Sequence, residues 1–361
     1  MSKIYKIAVI GAGDRGRTYS GMLKGFHSED AELCAVCDIL DERAQKAVEE
    51  YGFKEKFSDY KEAITKTKPD IVIVAAPAYF HCDMAAFAME NGAHVLTEKP
   101  FDLDMKKCFE LRETQKKTGK VLAVGLQYRN RRAQRAMKYV FEQKLLGRNV
   151  VMSFNNISEN RPKIAMHDAK FGNGGPMVDF ICHALDLMRW YFGSNPKSAA
   201  AQWRINTIDL PRLASIENKA PDQAVITVEY ECGSLGTLYT NWGMPTKSKG
   251  FGVQFAIGSD GMVKPDSKKN DGVIVTKADE EIVVEVKPSD ESDLIKEELA
   301  VYNHFVAEIE GRGKSQASFD EGIYSLATSM AAIKSGAQGG KPVSIAEILE
   351  TKPTILECMK G

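Results

Sequence analysis

The first third of the chain alternates short apolar runs with longer amphipathic segments. This alternation is typical of βαβ units, in which parallel strands are joined by helices that pack on the sheet. Right-handed crossovers between such units predict an α/β domain with a doubly wound parallel sheet over residues 1–125. The six runs that we interpret as its strands are Ile4–Ile10, Glu32–Cys37, Lys54–Phe57, Ile71–Ala75, His94–Thr97 and Val121–Val124.

Two of the connecting helices have readable ends. Ser58 is the expected N-cap of a helix over Asp59–Thr67, because a serine side chain can accept a hydrogen bond from a free N–H at a helix start. Gly119 follows the amphipathic segment Asp104–Thr118, and a glycine readily takes the backbone conformation that ends a helix.

After residue 125 the pattern changes to two helices followed by strand after strand. In Gln223–Cys232 apolar residues recur at every second position, which is typical of a sheet with one covered face. Residues 126–361 are therefore predicted to form an α+β domain with a large open, mainly antiparallel sheet. Because too few helices follow to cover both faces, we expect a homo-oligomer, a dimer or larger, that buries the open face.

The elements of this second region are assigned from the same patterns. Its predicted helices are Arg131–Leu146, Pro176–Phe192, Asp293–Glu310 and Phe319–Gln338, and its remaining strands are Asn149–Ser158, Leu235–Trp242, Phe251–Ile257, Gly272–Lys277 and Ile282–Lys287.

The charge balance narrows the class of partner. Lys and Arg number 48 against 49 Asp and Glu, for a formal net charge of −1. No whole-chain basic field exists to gather phosphates, so we expect neither a nucleic acid nor a membrane as partner. Seven scattered cysteines, an odd number, do not form a disulfide framework. With no signal peptide recognisable and no apolar run of about 18 residues, the sequence predicts a cytoplasmic location.

A glycine-rich pattern follows the first strand. Gly11, Gly13 and Gly16 form G-x-G-x-x-G between a buried strand and a helix, the context in which this common pattern predicts dinucleotide binding. Asp38, at the end of the second strand, can accept hydrogen bonds from the adenosine ribose. Its charge would repel a 2′-phosphate, so NAD is favoured over NADP. Arg15 either contacts the pyrophosphate or only solvates the loop.

Two cysteines in the second strand invite a redox or zinc interpretation. Cys34 and Cys37 have no second pair in the sequence, and in a strand their spacing directs the thiols to opposite faces. We therefore predict that both are packing residues.

Two further stretches carry groups capable of chemistry. Glu98-Lys99-Pro100 follows the fifth strand, at the carboxyl edge where doubly wound sheets bind ligands. Asp179, His183 and Asp186 share one stripe of a predicted helix. From the residues alone, this helical set is more often a solvated face or a structural hydrogen bond than a site.

Taken together, the motifs resemble those of the Gfo/Idh/MocA oxidoreductases. The resemblance covers nearly the whole chain in order and spacing, and it implies a Rossmann domain, a second domain whose open sheet mediates oligomers, and hydride transfer at a carbinol carbon of a sugar or cyclitol. The motifs that carry it are Gly11–Gly16, Ala76-Pro77 with His81, Glu98-Lys99-Pro100, and Gly174-Gly175 followed by Asp179-x-x-x-His183.

Residue by residue, the resemblance implies a site. Lys99, Asp179 and His183 would be catalytic, and Lys99–Pro100 is a candidate cis bond. The residues expected to bind the dinucleotide are Gly11, Gly13, Arg15, Gly16, Asp38, Ala76, Pro77, His81 and Glu98.

Oxidation of an alcohol needs a base for the hydroxyl proton. With reference pKa values of about 6.5 for His and 10.4 for Lys, His183 is the better base at neutral pH. Lys99 would then stabilise the developing alkoxide, and Asp179 would orient the substrate or pair with either residue. If burial depresses the pKa of Lys99 by several units, the two roles exchange.

Substrate contacts are expected from the polar segment Ser158–Asn173, with Arg161 and His167, and from Tyr128 and Arg129 after the sixth strand. Because no cluster of arginines is present to hold a phosphate, a neutral pyranose, a polyol, or a glycoside with ring C3 as one candidate position is favoured. A metal site built from Asp179, His183, Asp186 and His167 is an alternative, although the resemblance implies metal-free chemistry.

Three functions remain open. The first is an NAD-dependent dehydrogenase of a sugar, glycoside or cyclitol. The second is a redox-assisted glycosidase, in which bound NAD oxidises a ring hydroxyl, elimination cleaves the glycoside and the hydride returns. The third is a non-catalytic NAD-binding sensor. The joint presence of Lys99, Asp179 and His183 weighs against the sensor.

Overall fold

The structure, a computed structural model, describes residues 3–207, 209–266, 272–285 and 297–361. The chain divides into two compact units. The first comprises Met1–Asp102, Lys106–Gln127 and Ile295–Gly322, and the second comprises Leu103–Met105, Tyr128–Leu294 and Ile323–Gly361. We expected one boundary after residue 125, with all later residues in the second domain. In this division the segment around residues 297–322 belongs to the first unit.

The first unit is built on a six-stranded parallel sheet, which confirms the α/β prediction. Its strand order is β3-β2-β1-β4-β5-β6, so the order reverses between β1 and β4. Its strands are β1 (Tyr5–Ile10), β2 (Ala31–Cys37), β3 (Glu55–Phe57), β4 (Ile71–Val74), β5 (His94–Thr97) and β6 (Leu122–Val124). Its helices, numbered in chain order, are α1 (Asp14–Phe26), α2 (Asp41–Tyr51), α3 (Tyr60–Thr67), α4 (His81–Glu90), α5 (Met105–Thr118) and α9 (Glu297–Ile309).

Continuous apolar runs form this sheet because helices cover both of its faces. All four residues of β4 are buried, as are the last four of β1. Cys34 and Cys37 are buried in β2 and unbridged, as packing residues would be. The expected cap of α3 was wrong by one residue: the Asp59 carboxylate, not Ser58, accepts a hydrogen bond from Lys61 N at 2.8 Å.

Helix α9 joins the first unit through its apolar side. Leu299, Tyr302 and Phe305 are buried in the same core cluster as Tyr5 and Tyr19. The sequence predicted a helix over Asp293–Glu310, of which residues 293–296 lie outside the described part of the chain. The sequence did not indicate which sheet this helix would pack against.

The second unit contains a nine-stranded mixed sheet in the order β14-β13-β12-β11-β7-β10-β9-β8-β15. Neighbouring strands are antiparallel except for the central pair β7 and β10, which is parallel. The prediction of a mainly antiparallel sheet is therefore confirmed. Its strands are β7 (Val151–Glu159), β8 (Pro196–Arg204), β9 (Gln223–Tyr230), β10 (Leu235–Met244), β11 (Phe251–Gly258), β12 (Gly261–Pro265), β13 (Gly272–Lys277), β14 (Glu280–Glu285) and β15 (Val343–Ser344).

The helices of this unit depart from expectation in one place that matters for the site. The predicted helix Pro176–Phe192 is two helices, interrupted at Phe180. The helices are α6 (Arg132–Glu142), α7 (Pro176–Asp179), α8 (Ile181–Phe192), α10 (Phe319–Ala337), α11 (Ile345–Thr351) and α12 (Ile355–Lys360). Strands β8, β12 and β15 and helices α11 and α12 were not predicted, and residues 286 and 287 of one expected strand lie outside the described residues.

One face of this sheet carries exposed apolar side chains. In β9 the alternate residues Ala224, Ile226 and Val228 are buried, as the period-two pattern predicted. The register places the exposed residues of the neighbouring strands on the opposite face. Those residues are Val151, Val225, Leu235, Phe251, Val253 and Ile257. Among the described helices, none is both long and apolar enough to span a bilayer.

Candidate active site

The glycine turn after β1 is fixed by close backbone packing. A Cβ on Gly16 would lie 1.8 Å from the Gly11 carbonyl oxygen, and one on Gly11, whose φ is +96°, would lie 2.6 Å from the Ala75 oxygen. At Gly13, by contrast, a Cβ would meet nothing within 4 Å. Helix α1 begins at the next residue, so its N-terminus adjoins this open position. The turn therefore leaves room where a pyrophosphate would approach the backbone.

Asp38 is held beside this turn by two backbone donors. Its Oδ2 accepts the N–H of Ala12 at 2.8 Å, and its Oδ1 accepts the N–H of Leu40 at 2.9 Å. Each carboxylate oxygen keeps a second lone pair, so the group can still accept from a hydroxyl. These contacts fit the predicted role at a ribose.

The ring of His81 ties two loops together. Its Nδ1 lies 2.8 Å from the Pro100 carbonyl oxygen, its Nε2 lies 2.8 Å from the Ala76 oxygen, and the residue is 1 % exposed. Burial lowers its pKa. Both ring nitrogens are thus directed at backbone carbonyls, and the expected place of His81 among the cofactor-binding residues stays a prediction. The Lys99–Pro100 peptide in one of these loops is cis, as predicted.

Arg15 and Glu98, both expected at the cofactor, contact each other. Arg15 Nη2 lies 2.7 Å from Glu98 Oε1, and Nη1 lies 2.8 Å from Glu298 Oε1 on helix α9. The Glu98 side chain is 3 % exposed, and its Oε2 accepts the backbone N–H of Lys99 at 3.3 Å. Arg15 thus balances a buried carboxylate beside the lysine, and a contact with pyrophosphate stays a prediction. Glu298 was not predicted, because it lies 283 residues after Arg15 in the chain.

In the second unit, two glycines precede the helix break that separates Asp179 from His183. Gly174 and Gly175 have φ values of +74° and +71°. A Cβ on Gly175 would also lie 2.8 Å from the Ala220 Cβ. Asp179 ends α7 and accepts a hydrogen bond from Asn173 Nδ2 at 3.3 Å. His183 stands in the first turn of α8.

The imidazole of His183 stacks on a tyrosine. The ring centroids of Tyr128 and His183 are 3.9 Å apart and their planes differ by 7°. The guanidinium carbon of Arg131 lies 3.5 Å from the Tyr128 centroid. Tyr128 was predicted to contact the substrate, and Arg131 was not predicted at the site. The Tyr128–His183 contact itself joins residues far apart in the chain, and such stacking leaves no periodic signal.

Arg129, another predicted substrate residue, instead forms a buried ion pair. Its Nε lies 2.8 Å from Asp186 Oδ2 and its Nη2 lies 2.5 Å from Oδ1, with side chains 7 % and 2 % exposed. A buried guanidinium needs such a partner, and a contact of Arg129 with the substrate stays a prediction. Asp186 therefore belongs with Arg129.

The predicted substrate loop is held through its own backbone. His167 is buried, and its Nε2 lies 3.0 Å from the Arg161 carbonyl oxygen. Arg212 donates to the same oxygen at 2.5 Å and to the Pro162 oxygen at 2.9 Å. Burial lowers the pKa of His167. The His167 side chain thus helps to hold the loop, and its contact with the substrate stays a prediction. The guanidinium of Arg161 lies 5.7 Å from the Trp242 ring centroid.

The metal alternative finds no support in the described parts of the chain. Among residues 3–207, 209–266, 272–285 and 297–361, no group of three or more His, Cys, Asp or Glu side chains is arranged to hold an ion. Asp186 is engaged by Arg129, and the ring of His167 by a carbonyl oxygen.

Two sequence models of one family match this chain. Residues 5–126 match the oxidoreductase family with an NAD-binding Rossmann fold, GFO/IDH/MocA, and residues 115–264 match the GFO/IDH/MocA C-terminal domain. The chain belongs to the GFO/IDH/MocA oxidoreductase family. The cofactor prediction is confirmed at the level of this NAD-binding domain.

Individual relatives extend the comparison. D-glucoside 3-dehydrogenase of Escherichia coli (strain K12) is 30 % identical over 190 residues, which cover 52 % of this chain and 54 % of that protein. The chain therefore matches about half the length of that relative. 1,5-Anhydro-D-fructose reductase of Ensifer adhaerens is 23 % identical over 92 % of this chain and 96 % of its own length. The solved structure of a levoglucosan dehydrogenase with NADH and levoglucosan has a TM-score of 0.81 at 18 % identity, covering 95 % of this chain and 100 % of that one.

Proposed function

We propose that this protein is an NAD-dependent dehydrogenase that oxidises a secondary hydroxyl of a neutral sugar, glycoside or cyclitol. One joint observation carries the proposal: an NAD-binding family domain occurs together with the full set Lys99, Asp179 and His183. The open turn at Gly13 and the fixed carboxylate of Asp38 support NAD as the dinucleotide. Bound NAD would supply the hydride acceptor.

The chain's own groups would handle the proton. His183 accepts the hydroxyl proton while the carbon loses hydride, so the alcohol becomes a carbonyl. Lys99, kept protonated, hydrogen-bonds the same oxygen and stabilises its developing negative charge. Asp179 orients the substrate through its carboxylate. The assignment of base to His183 rests on the reference pKa values, and exchange with Lys99 is the competing assignment.

The substrate class rests on chemistry and on relatives. Three similar proteins are named for a glucoside, an anhydro sugar and levoglucosan, which are uncharged saccharides. In this chain Arg129 is committed to Asp186 and Arg212 to backbone carbonyls. We propose that the predicted contact Arg161 belongs to a pocket for a neutral ring, with ring C3 of a glycoside as one candidate position.

A panel of sugars, glycosides and inositols with NAD at alkaline pH tests the proposal. We expect stoichiometric NADH to form with at least one compound. Glycoside cleavage without net NADH would identify the redox-assisted glycosidase, and NAD binding without turnover on the whole panel would identify a sensor. Either of these results would contradict the dehydrogenase.

Variants then test the assigned roles. Lys99→Met and His183→Asn should each lower kcat by about 10²–10⁴-fold, with NAD affinity near wild type in a fluorescence titration. His183→Asn should also abolish the acidic limb of the pH–rate profile. If the limb persists and only its height falls, Lys99 is the base. Wild-type turnover in both variants would refute the catalytic set.

We also propose that the protein is a homo-oligomer joined through the open sheet face. The exposed apolar residues on that face, such as Val225, Phe251 and Val253, support it. Sedimentation should give a mass of at least twice 39.9 kDa, and Val253→Glu should shift it toward the monomer. A single monomeric species of wild type at micromolar concentration would contradict the proposal. The cytoplasmic location stays a prediction.

A further inference from the structure

We propose that Tyr128 is a positioning residue whose ring, fixed between Arg131 and His183, sets the plane of the His183 imidazole. This inference rests on the proposed function, in which His183 is the base. It assigns to Tyr128 a different role from the substrate contact that the sequence suggested.

The three groups form one stack. The guanidinium carbon of Arg131 lies 3.5 Å, and the His183 centroid 3.9 Å, from the Tyr128 centroid. Two planar groups this close to one centroid cannot share a face of the ring, so they cover opposite faces. A cation is attracted to the electron-rich face of tyrosine. By drawing electron density toward its own side, Arg131 weakens the repulsion that otherwise disfavours parallel rings on the other side.

The segment that carries Tyr128 is anchored to the helix that carries His183. Tyr128 lies in a single 3-10 turn, Gln127–Asn130, and its carbonyl accepts the N–H of Arg131 at 3.1 Å. The neighbouring residue Arg129 is locked to Asp186, one turn beyond His183 on α8. Two contacts to one helix face therefore fix the height and tilt of the tyrosine ring. An exposed loop tyrosine would lack both.

A histidine base gains from this support because proton transfer depends on the plane of its ring. Helix α8 fixes the Cα of His183, but rotation about χ2 of a histidine is broad. Rotating the ring turns its nitrogens away from the hydroxyl whose proton they must take. A misplacement of about 1 Å can lower a rate by about 10²-fold. A parallel tyrosine in contact with the ring removes that freedom before substrate binds.

The stack itself is tested without turnover by NMR of the protein labelled at its six histidines. His183→Asn identifies the His183 ring signals. We expect these signals to lie upfield in wild type, because the Tyr128 ring current acts along the stacking axis. The shift should persist in Tyr128→Phe and be lost in Tyr128→Leu. Unshifted His183 signals in the wild-type protein would overturn the proposal.

Kinetics test the positioning role, on the panel compound that gives the highest rate. Tyr128→Leu should lower kcat by about 10²-fold with the KM for NAD unchanged, and Tyr128→Phe should restore kcat to within about twofold of wild type. Arg131→Met should lower kcat by a smaller factor, which Arg131→Lys should partly restore. These arginine variants keep the test decisive if Tyr128→Leu does not fold.

The outcomes separate this inference from the proposed function. If His183→Asn lowers turnover and Tyr128→Leu does not, the stack has no positioning role and the dehydrogenase stands. If His183→Asn leaves turnover unchanged, the base assignment fails first. Should Tyr128→Phe lose as much kcat as Tyr128→Leu, the hydroxyl of Tyr128 is what matters, and the positioning role is overturned in favour of a substrate contact.

Discussion

The glycine turn of the first unit and the histidine helix of the second are held in place by different kinds of contact. In the turn, Gly16 and Gly11 touch backbone atoms so closely that no side chain fits. Around α8, by contrast, the contacts join side chains, with Tyr128 on His183 and Arg129 on Asp186. A backbone constraint leaves a residue-type signature in the sequence, whereas a side-chain pair leaves none. This difference explains why the glycine turn could be predicted from the sequence, whereas the contacts around helix α8 could be predicted only in part.

The largest expected effect comes from a substitution in the glycine turn, where the constraint is a backbone contact. Gly16→Ala places a Cβ 1.8 Å from the Gly11 oxygen, so we expect a loss of more than about 3 kcal/mol, or no folded protein, together with loss of NAD binding. Gly13→Ala is the matched control, because its Cβ meets nothing. Gly13→Ala should have the same unfolding temperature as wild type, and only its affinity for NAD should be lower. Equal thermal stability of the two variants would contradict this account.

The next largest effect comes from removing a side-chain contact of helix α8, the Arg129–Asp186 ion pair. Arg129→Met removes the guanidinium that neutralises the buried Asp186 carboxylate, which should lower the unfolding free energy by about 3–5 kcal/mol. The double variant Arg129→Met with Asp186→Leu removes both charges and should recover most of the loss. Arg17→Met, at an exposed pair with Glu50, should change stability by less than about 1 kcal/mol. Calorimetry would refute the assignment if Arg129→Met behaved like Arg17→Met.

A smaller effect sharpens the cofactor prediction. Asp38 is fixed by Ala12 and Leu40, so its charge is held where a 2′-phosphate would come. We expect kcat/KM to favour NAD over NADP, and Asp38→Ser to narrow that ratio by about tenfold or more, in line with a repulsion of about 1–4 kcal/mol. A wild-type preference for NADP would show that the ribose assignment is wrong.

A further effect concerns the pH dependence of stability in the first unit. His94 Nδ1 accepts the N–H of Val121 at 3.0 Å, which requires the neutral ring, and burial together with Lys120 lowers its pKa to about 4. The unfolded chain, with a His pKa of about 6.5, binds more protons between these values, so stability should fall as pH drops through this window and stay level above it. His94→Gln should flatten that part of the stability profile measured by urea unfolding.

What could be predicted from the sequence divides in the same way, between features set by the backbone and contacts between side chains. The parallel sheet was predictable because strands covered on both faces are continuously apolar, as in Ile71–Val74. The parallel pairing of β7 with β10 was not, because a period-two pattern is the same whichever way the neighbour runs. Lys99, Asp179 and His183 came from their motif positions. The substrate contacts assigned to Arg129 and His167 stay predictions, because a polar residue near a site looks the same in sequence whether it contacts a ligand or another residue.

Helix α9 has a consequence for how the chain is made. A ribosome releases residues 1–127 long before Leu299, Tyr302 and Phe305, which fill the core beneath the first sheet. The core of the first unit therefore stays incomplete until the second unit and helix α9 have been synthesised. A gene fragment that stops after β6 should give an unstable product, and a usable isolated unit would need the α9 segment joined back by a linker.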